Sequence, residues 1–183
     1  MKIRLAADLQ TDSIVDGEGI RTVIWTQGCP HNCKGCHNPT THDFNAGTLV
    51  DVDYVLDELE ELKGQDGITL SGGDPVCQSE ACTLISEKAH ELGLNVWCYT
   101  GYTFEKMIMN PKQKKLLENI DVLVDGKFVL EEKSYDLYFK GSRNQRIIDV
   151  PKSLEENRVV LVEKYKEDKD YTSTYKKPEY MFI

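Results

Sequence analysis

Three cysteines, Cys29, Cys33 and Cys36, fall in the run Gly28-Cys29-Pro30-His31-Asn32-Cys33-Lys34-Gly35-Cys36-His37-Asn38. Their spacing is C-x3-C-x2-C, and no fourth cysteine follows closely. Thiolates are the usual ligands of iron–sulfur clusters, and a cubane of four irons normally takes four of them. Three on one short loop leave one iron without a protein ligand. An open position on a metal is where substrate chemistry occurs, whereas structural sites are closed. The spacing therefore predicts a reactive cluster. A zinc site is the rival, with His31, His37 or His42 available as a fourth ligand. Structural zinc sites, however, usually pair two short ligand units across a longer loop. Pro30 and Gly35 allow the tight turn that brings backbone amides near the sulfurs. The other cysteines, Cys77, Cys82 and Cys98, are expected to be unliganded, Cys98 as a small hydrophobe inside a strand.

Other segments carry residues able to do chemistry. Ser71-Gly72-Gly73-Asp74-Pro75 reads as a turn entering a helix. Its two glycines also remove side chains where a ligand could press against backbone, and Asp74 offers a carboxylate to an ammonium group. Asp125-Gly126-Lys127 and Gly141-Ser142-Arg143-Asn144 bring opposite charges, either as a turn with a solvated ion pair or as a binding site. Asp16 to Arg21 reads first as a loop into a strand, and isolated histidines such as His90 as ordinary polar residues.

The elements that must position these groups follow from apolar periodicity. Arg21–Thr26 is a β-branched, aromatic run typical of a strand. Val52, Val55, Leu56, Leu59 and Leu62 recur at helical spacing, with Asp51 as N-cap and Gly64 as stop. Gly67–Leu70 is a second strand, and Ala81 to Leu92 a helix ended by Gly93. Val96–Tyr99 is a third strand, and a helix follows Pro111. Val122–Val124 and Arg146–Val150 are further strands. Strand–helix alternation implies parallel crossovers and an α/β sheet. Each motif lies just beyond a strand: Gly28-Cys29, Ser71 to Pro75, Thr100-Gly101 and Asp125 to Lys127. In such sheets, sites form beyond the carboxyl ends of the strands, so the motifs are expected at one mouth.

A length of 183 residues suits one domain with a sizeable core. The 22 basic and 31 acidic residues give a net charge of −9, which argues against a nucleic-acid backbone as ligand. Six cysteines, three of them clustered, do not form a secreted disulfide framework, so a reducing cytoplasm is expected. No apolar run approaches the ~20 residues of a membrane span. We expect residues 1–150 to form the domain. Residues 151–183, whose seven basic and seven acidic side chains cancel, would be an appendage of unassigned role.

Together these residues resemble the radical S-adenosylmethionine enzymes, and within them the activating proteins of anaerobic ribonucleoside-triphosphate reductases. The resemblance runs over roughly residues 10–150. It rests on Asp16 to Arg21, Gly28 to Pro39, Leu70 to Pro75, Val-Trp-Cys-Tyr-Thr-Gly-Tyr at 96–102, Asp-Gly-Lys at 125–127 and Gly-Ser-Arg-Asn-Gln at 141–145. It implies an incomplete (βα) barrel with a curved, mainly parallel sheet, since a full barrel takes about 250 residues. It also implies that Cys29, Cys33 and Cys36 hold one 4Fe-4S cluster whose fourth iron is chelated by S-adenosylmethionine. One electron would cleave the sulfonium to methionine and a 5′-deoxyadenosyl radical, which takes a hydrogen atom from a glycine Cα of the partner reductase. By the same resemblance, Gly35, Cys36 and His37 would line the adenosine side, and Gly72, Gly73 and Asp74 would receive the methionyl ammonium. Thr100, Asp125, Lys127 and Arg143 would serve the cofactor, and Asp16 and Arg21 would face the incoming glycine loop. A flavodoxin or ferredoxin is the implied electron donor, with neither nucleic acid nor membrane as a partner. Gly35 stands where many of the superfamily carry an aromatic residue, and Glu18 where a proline often stands. Alternatives are an activase of another glycyl-radical enzyme, a small radical enzyme acting on a purine-like metabolite, or a non-catalytic iron–sulfur or zinc module.

Overall fold

Arg21–Thr26 alternates its side chains between two apolar surroundings, and both sides of the central strands are covered. The computed structural model describes residues 1–166. Its strands are β1 (Lys2–Leu5), β2 (Gln10–Ser13), β3 (Arg21–Thr26), β4 (Thr48–Asp51), β5 (Gly67–Gly72), β6 (Asn95–Tyr99), β7 (Val122–Asp125) and β8 (Arg146–Asp149). The helices are α1 (Val52–Glu60), α2 (Ser79–Glu91), α3 (Phe104–Ile108), α4 (Pro111–Leu117) and α5 (Val150–Glu156). Strand order is β4-β1-β3-β5-β6-β7-β8, with β2 also paired to β3. The order does not return to its start, so the sheet is an open, incomplete barrel. Strands β3, β5, β6 and β7 run parallel, as the alternation with helices predicts. The outer strands β1, β2 and β8 pair antiparallel to this core, and β4 pairs antiparallel to β1. No α-helix separates β7 from β8, so this last connection is not a crossover.

Helix starts are set by side chains that satisfy free backbone amides. Asn110 accepts from the amides of Lys112 and Gln113, with Pro111 in the first turn of α4. Asp149 accepts from the Lys152 amide and starts α5. Asp51 occupies the expected N-cap position of α1 but makes no side-chain cap bond; its carboxylate pairs with Lys2 at 2.7 Å. The expected strand 146–150 ends one residue early, because Val150 is the first residue of α5.

One face of the sheet carries Ile24, Ile68, Leu70, Val96, Cys98, Leu123 and Ile148 against apolar side chains of α1 to α4. Each large aliphatic side chain buried there contributes roughly 1.5–3 kcal/mol. The opposite, inner face carries Trp97, Val124 and Ile147, with Tyr99, Phe139, Val162 and Tyr165 packed on them. Alternation along a strand produces both faces: Val96 and Cys98 point one way, Trp97 and Tyr99 the other.

The first part of the expected appendage is built onto the sheet. After α5 the chain turns at Asn157, in the left-handed region, and Leu161 bridges Ile148 on the outer edge of β8. Tyr171, Tyr175 and Tyr180 lie outside the described residues. Among the described residues, no helix is long and apolar enough to cross a membrane.

Candidate functional site

The cysteine loop leaves β3 and is held at both ends by backbone. The amides of Gly28 and Cys29 donate to the carbonyls of Thr41 and His42 at 2.8 and 3.1 Å. Across the neighbouring strand end, the amides of Gly73 and Asp74 donate to the carbonyls of Thr26 and Gly28 at 2.7 and 2.9 Å. This contact explains the two glycines. Gly72 has φ +101°, and a Cβ there would lie 2.4 Å from the Thr26 carbonyl oxygen. A Cβ on Gly73 would lie 2.5 Å from that of Gly28. What presses against the Gly-Gly backbone is thus the root of the cysteine loop itself.

Cys29, Cys33 and Cys36 are half-buried free thiols on one turn, closed by the Cys36 amide donating to the Cys33 carbonyl at 3.1 Å. The Asn38 amide donates to the Cys36 sulfur at 3.4 Å, the kind of bond that tunes a cluster thiolate. Burial pushes the Cys29 thiol up. This donor set fits a cluster with three protein thiolates: three soft ligands on one loop, each partly exposed. Gly35, at φ +75°, lies against Leu130, and the exposed His37 ring meets Phe128 edge-on at 4.9 Å. The stretch after β7 therefore walls the Gly35–His37 side of the loop.

Asp74 is the centre of the neighbouring strand ends and is 1% exposed. Its carboxylate accepts from the Val76 amide at 3.0 Å, the Thr100 hydroxyl at 2.9 and 3.0 Å, and the Gly101 amide at 3.0 Å. His31 Nε2 lies 2.7 Å from Oδ2, the oxygen that also accepts from Thr100 and Gly101, and donates to it, since a carboxylate only accepts. The His31 ring also meets Tyr102 edge-on at 4.6 Å. His31 belongs to the cysteine loop, so Asp74 ties the ends of β5 and β6 to that loop. Ligand atoms of Cys29, His31 and Asp74 lie within 4.8 Å of one another, close enough to hold a metal ion. The spacing reading considered His31 only as a zinc ligand; its contact with Asp74 spans 43 residues and leaves no local signal.

Asp125, at the end of β7, is equally buried and does not pair with Lys127. Arg146 donates to both its oxygens, from Nε at 2.9 Å and from a terminal nitrogen at 2.5 Å, and the Phe104 amide adds 2.8 Å. The same guanidinium makes a second fork to Glu105 at 2.9 Å. The ion pair expected at this mouth exists, but it is partly buried and its cation is Arg146. Lys127 is exposed, and its carbonyl accepts from the Asn144 amide group at 2.8 Å. Arg143 is exposed beside Ser134, which its guanidinium reaches at 3.3 Å.

Asp16 and Arg21 sit at the other end of β3. Arg21 is 1% exposed and donates to Thr69, to the carbonyls of Glu18 and Ile68, and to Asn95, with Trp97 at 5.5 Å. Burial lowers its pKa to about 10. Its donors are directed at the protein interior and not at solvent. The Asp16 carboxylate accepts from Ser13. Cys82 and Cys98 are fully buried in the core. Partial burial, then the Asp74 charge, push the Cys77 thiol up to about 12, so it stays protonated at neutral pH.

The strand-end motifs thus share one rim, while Asp16 and Arg21 lie opposite. A family model described as a 4Fe-4S single cluster domain matches residues 15–148. The anaerobic ribonucleoside-triphosphate reductase-activating protein of Haemophilus influenzae is 35% identical over 142 residues, 73% of this chain and 90% of that protein. Those of Escherichia coli K12 and Enterobacteria phage T4 are also 35% identical, over 140 and 139 residues, covering 90% and 86% of their lengths. QueE from Escherichia coli overlays 56% of this chain and 54% of its own at TM-score 0.46 and 14% identity, too partial a likeness to build on. Extended identity over nine-tenths of the Haemophilus influenzae and Escherichia coli proteins, joined to a cluster-domain match across the cysteine loop, places this chain in the family of anaerobic ribonucleoside-triphosphate reductase-activating proteins.

Proposed function

We propose that this chain is a radical S-adenosylmethionine activase that installs a glycyl radical on an anaerobic ribonucleoside-triphosphate reductase. The carrying observation is the backbone clasp between Gly28 and Gly73–Asp74, which sets the cysteine loop against the strand end that bears a buried carboxylate. Cys29, Cys33 and Cys36 would hold the 4Fe-4S cluster. When bound, cluster and S-adenosylmethionine supply a one-electron cleavage that yields methionine and a 5′-deoxyadenosyl group able to take one hydrogen atom from a glycine Cα.

The chain's own residues bind, orient and shield. Gly35, Cys36 and His37, walled by Phe128 and Leu130, form the adenosine side. Gly72, Gly73 and Asp74 form the ammonium side, and Thr100 fixes the Asp74 carboxylate. His31 already donates to one oxygen of that carboxylate, so an ammonium group reaching Asp74 must displace it. Asp125 positions the rim through Arg146 and the Phe104 amide, and Lys127 and Arg143, both exposed, would serve the carboxylate of the cofactor. A small flavodoxin or ferredoxin would deliver the electron.

The test is anaerobic reconstitution with iron and sulfide, then reductant, S-adenosylmethionine and the reductase. The expected result is 5′-deoxyadenosine and a glycyl doublet by electron paramagnetic resonance, both abolished by Cys33→Ala. The compact Cys29–His31–Asp74 trio favours one rival, a mononuclear metal module. One zinc per chain after anaerobic purification, with no S-adenosylmethionine cleavage, would establish the rival.

A further inference from the structure

The family match ends at residue 148, yet the chain goes on to cross the inner face of its own sheet. The Asp149 amide donates to the Val160 carbonyl and the Val162 amide to the Ile147 carbonyl, both at 2.9 Å, which pairs residues 160–162 with the edge of β8 in a single β-bridge. A single 3₁₀ turn at Glu163–Tyr165 then places Tyr165 edge-on to Phe139 at 5.4 Å and to Trp97 at 6.2 Å. The loop between β2 and β3 comes to the same place. The Thr69 hydroxyl donates to the Asp16 carbonyl at 2.7 Å, and Gly17 lies so close to Trp97 that a Cβ would come within 2.8 Å of its ring.

The two segments meet at Glu18. Its carboxylate pairs with the Lys164 ammonium and accepts from the Tyr165 hydroxyl at 2.6 Å. These contacts, first to Lys164 and then to Tyr165, lower the Glu18 pKa. The segment after β8 is thereby joined to the β2–β3 loop across the inner face of the sheet, by residues 146 and 147 positions apart in the chain. The junction lies at the amino ends of the parallel strands. Six-residue β3, about 20 Å long, separates it from the cysteine loop.

We propose that Glu18, Lys164 and Tyr165 form a latch that closes the lower part of the open barrel and fixes how deeply the partner's glycine-bearing peptide reaches toward the cysteine rim. The proposal rests on the activase reading above and adds to it a positioning residue, Tyr165. With the floor closed by Trp97, Phe139 and Tyr165, a peptide entering from the rim stops at a set depth. A radical formed at the rim then meets the glycine Cα in preference to other C–H bonds, because small displacements of reacting atoms cost large factors in rate.

Two measurements on the full chain test this. Amide hydrogen exchange of Val162 and Asp149 reads closure without any cofactor. Glu18→Lys, an exposed substitution that places like charges together, is expected to speed that exchange about fivefold. Unchanged exchange overturns the latch whatever the activity. In the reconstituted protein with reductase, Tyr165→Ala is expected to raise the ratio of 5′-deoxyadenosine released to glycyl radical formed by about fivefold. Tyr165→Phe, which keeps the ring on the floor, is expected to restore most of the coupling. A wild-type ratio in both Tyr165→Ala and Glu18→Lys overturns the positioning role. A wild-type chain that makes no glycyl radical defeats the activase reading instead, while the exchange measurement still decides whether the latch exists.

Discussion

At the scale of the residue, Asp74 shows how a site residue can be visible in sequence while its work is not. The Gly-Gly-Asp-Pro run marks a strand end that a ligand or a backbone approaches, and a backbone does approach, from Gly28. Nothing local announces that the carboxylate accepts from Val76, Thr100, Gly101 and His31 together. Those partners converge only when three strands and the cysteine loop are in place. Asp74→Asn keeps the shape but turns one acceptor into a donor facing the Val76 or Gly101 amide. A buried amide left without an acceptor costs about 1–3 kcal/mol. At roughly 2–4 °C per kcal/mol for a chain this size, thermal denaturation should show a fall of several degrees. Gly73→Ala should be worse for the cluster than for the fold, because its new methyl strikes the Gly28 carbonyl at the root of the loop. Iron and sulfide content after reconstitution should fall below half of wild type, and an unchanged content would mean that the clasp does not hold the loop.

At the scale of the element, what was legible divides by length and burial. The parallel core strands and α2 carry long apolar runs, so their positions follow from pattern alone. Strands β1, β2 and β4 have four residues each, and β2 and β4 bury little. They exist because of partners far along the chain, such as Lys2 opposite Asp51, and periodicity cannot register that. The start of α5 had a signal, Asp149 followed by Pro151, overridden by the apolar run before it. The β7–β8 pair also shows an effect of pH. Arg146 holds the Glu105 carboxyl at a pKa of about 2, first through its hydrogen bond, against an ordinary value of 4.5. A carboxyl whose folded pKa is depressed contributes stability above its unfolded value, and that contribution is lost as pH falls through the folded one. Wild-type stability should therefore carry a Glu105 component that declines between pH 4.5 and about 2. Glu105→Gln should flatten that part of the curve, measured by urea denaturation of the cluster-free chain, and an unaltered slope would show the fork to be energetically silent. Glu105 is largely exposed, so solvent screening keeps the effect small.

At the scale of the whole molecule, an incomplete barrel must deal with the two sheet edges that a closed barrel lacks. An exposed edge presents unpaired amides and carbonyls, a template for pairing with another chain. Here the outer edge of β8 is covered by residues 160–162, through bonds from Asp149 to Val160 and from Val162 to Ile147. The covering segment is anchored: the Ser153 hydroxyl accepts from the Val160 amide at 2.9 Å, and Val159 and Leu161 pack against the core. Sequence composition predicts this region only as a charge-balanced appendage, since balanced charge reveals nothing about which backbone groups it covers. Val162→Pro removes the donor to Ile147 while leaving α5 and the cysteine rim untouched. The edge of β8 is then partly bare, with Ile147 and Val124 of the inner face beside it. The variant should self-associate at concentrations where wild type does not, seen as a rise in mass by size-exclusion chromatography with light scattering. An apparent mass equal to that of wild type would mean that the edge is protected by its own twist, and that residues 160–162 are there for the inner face alone.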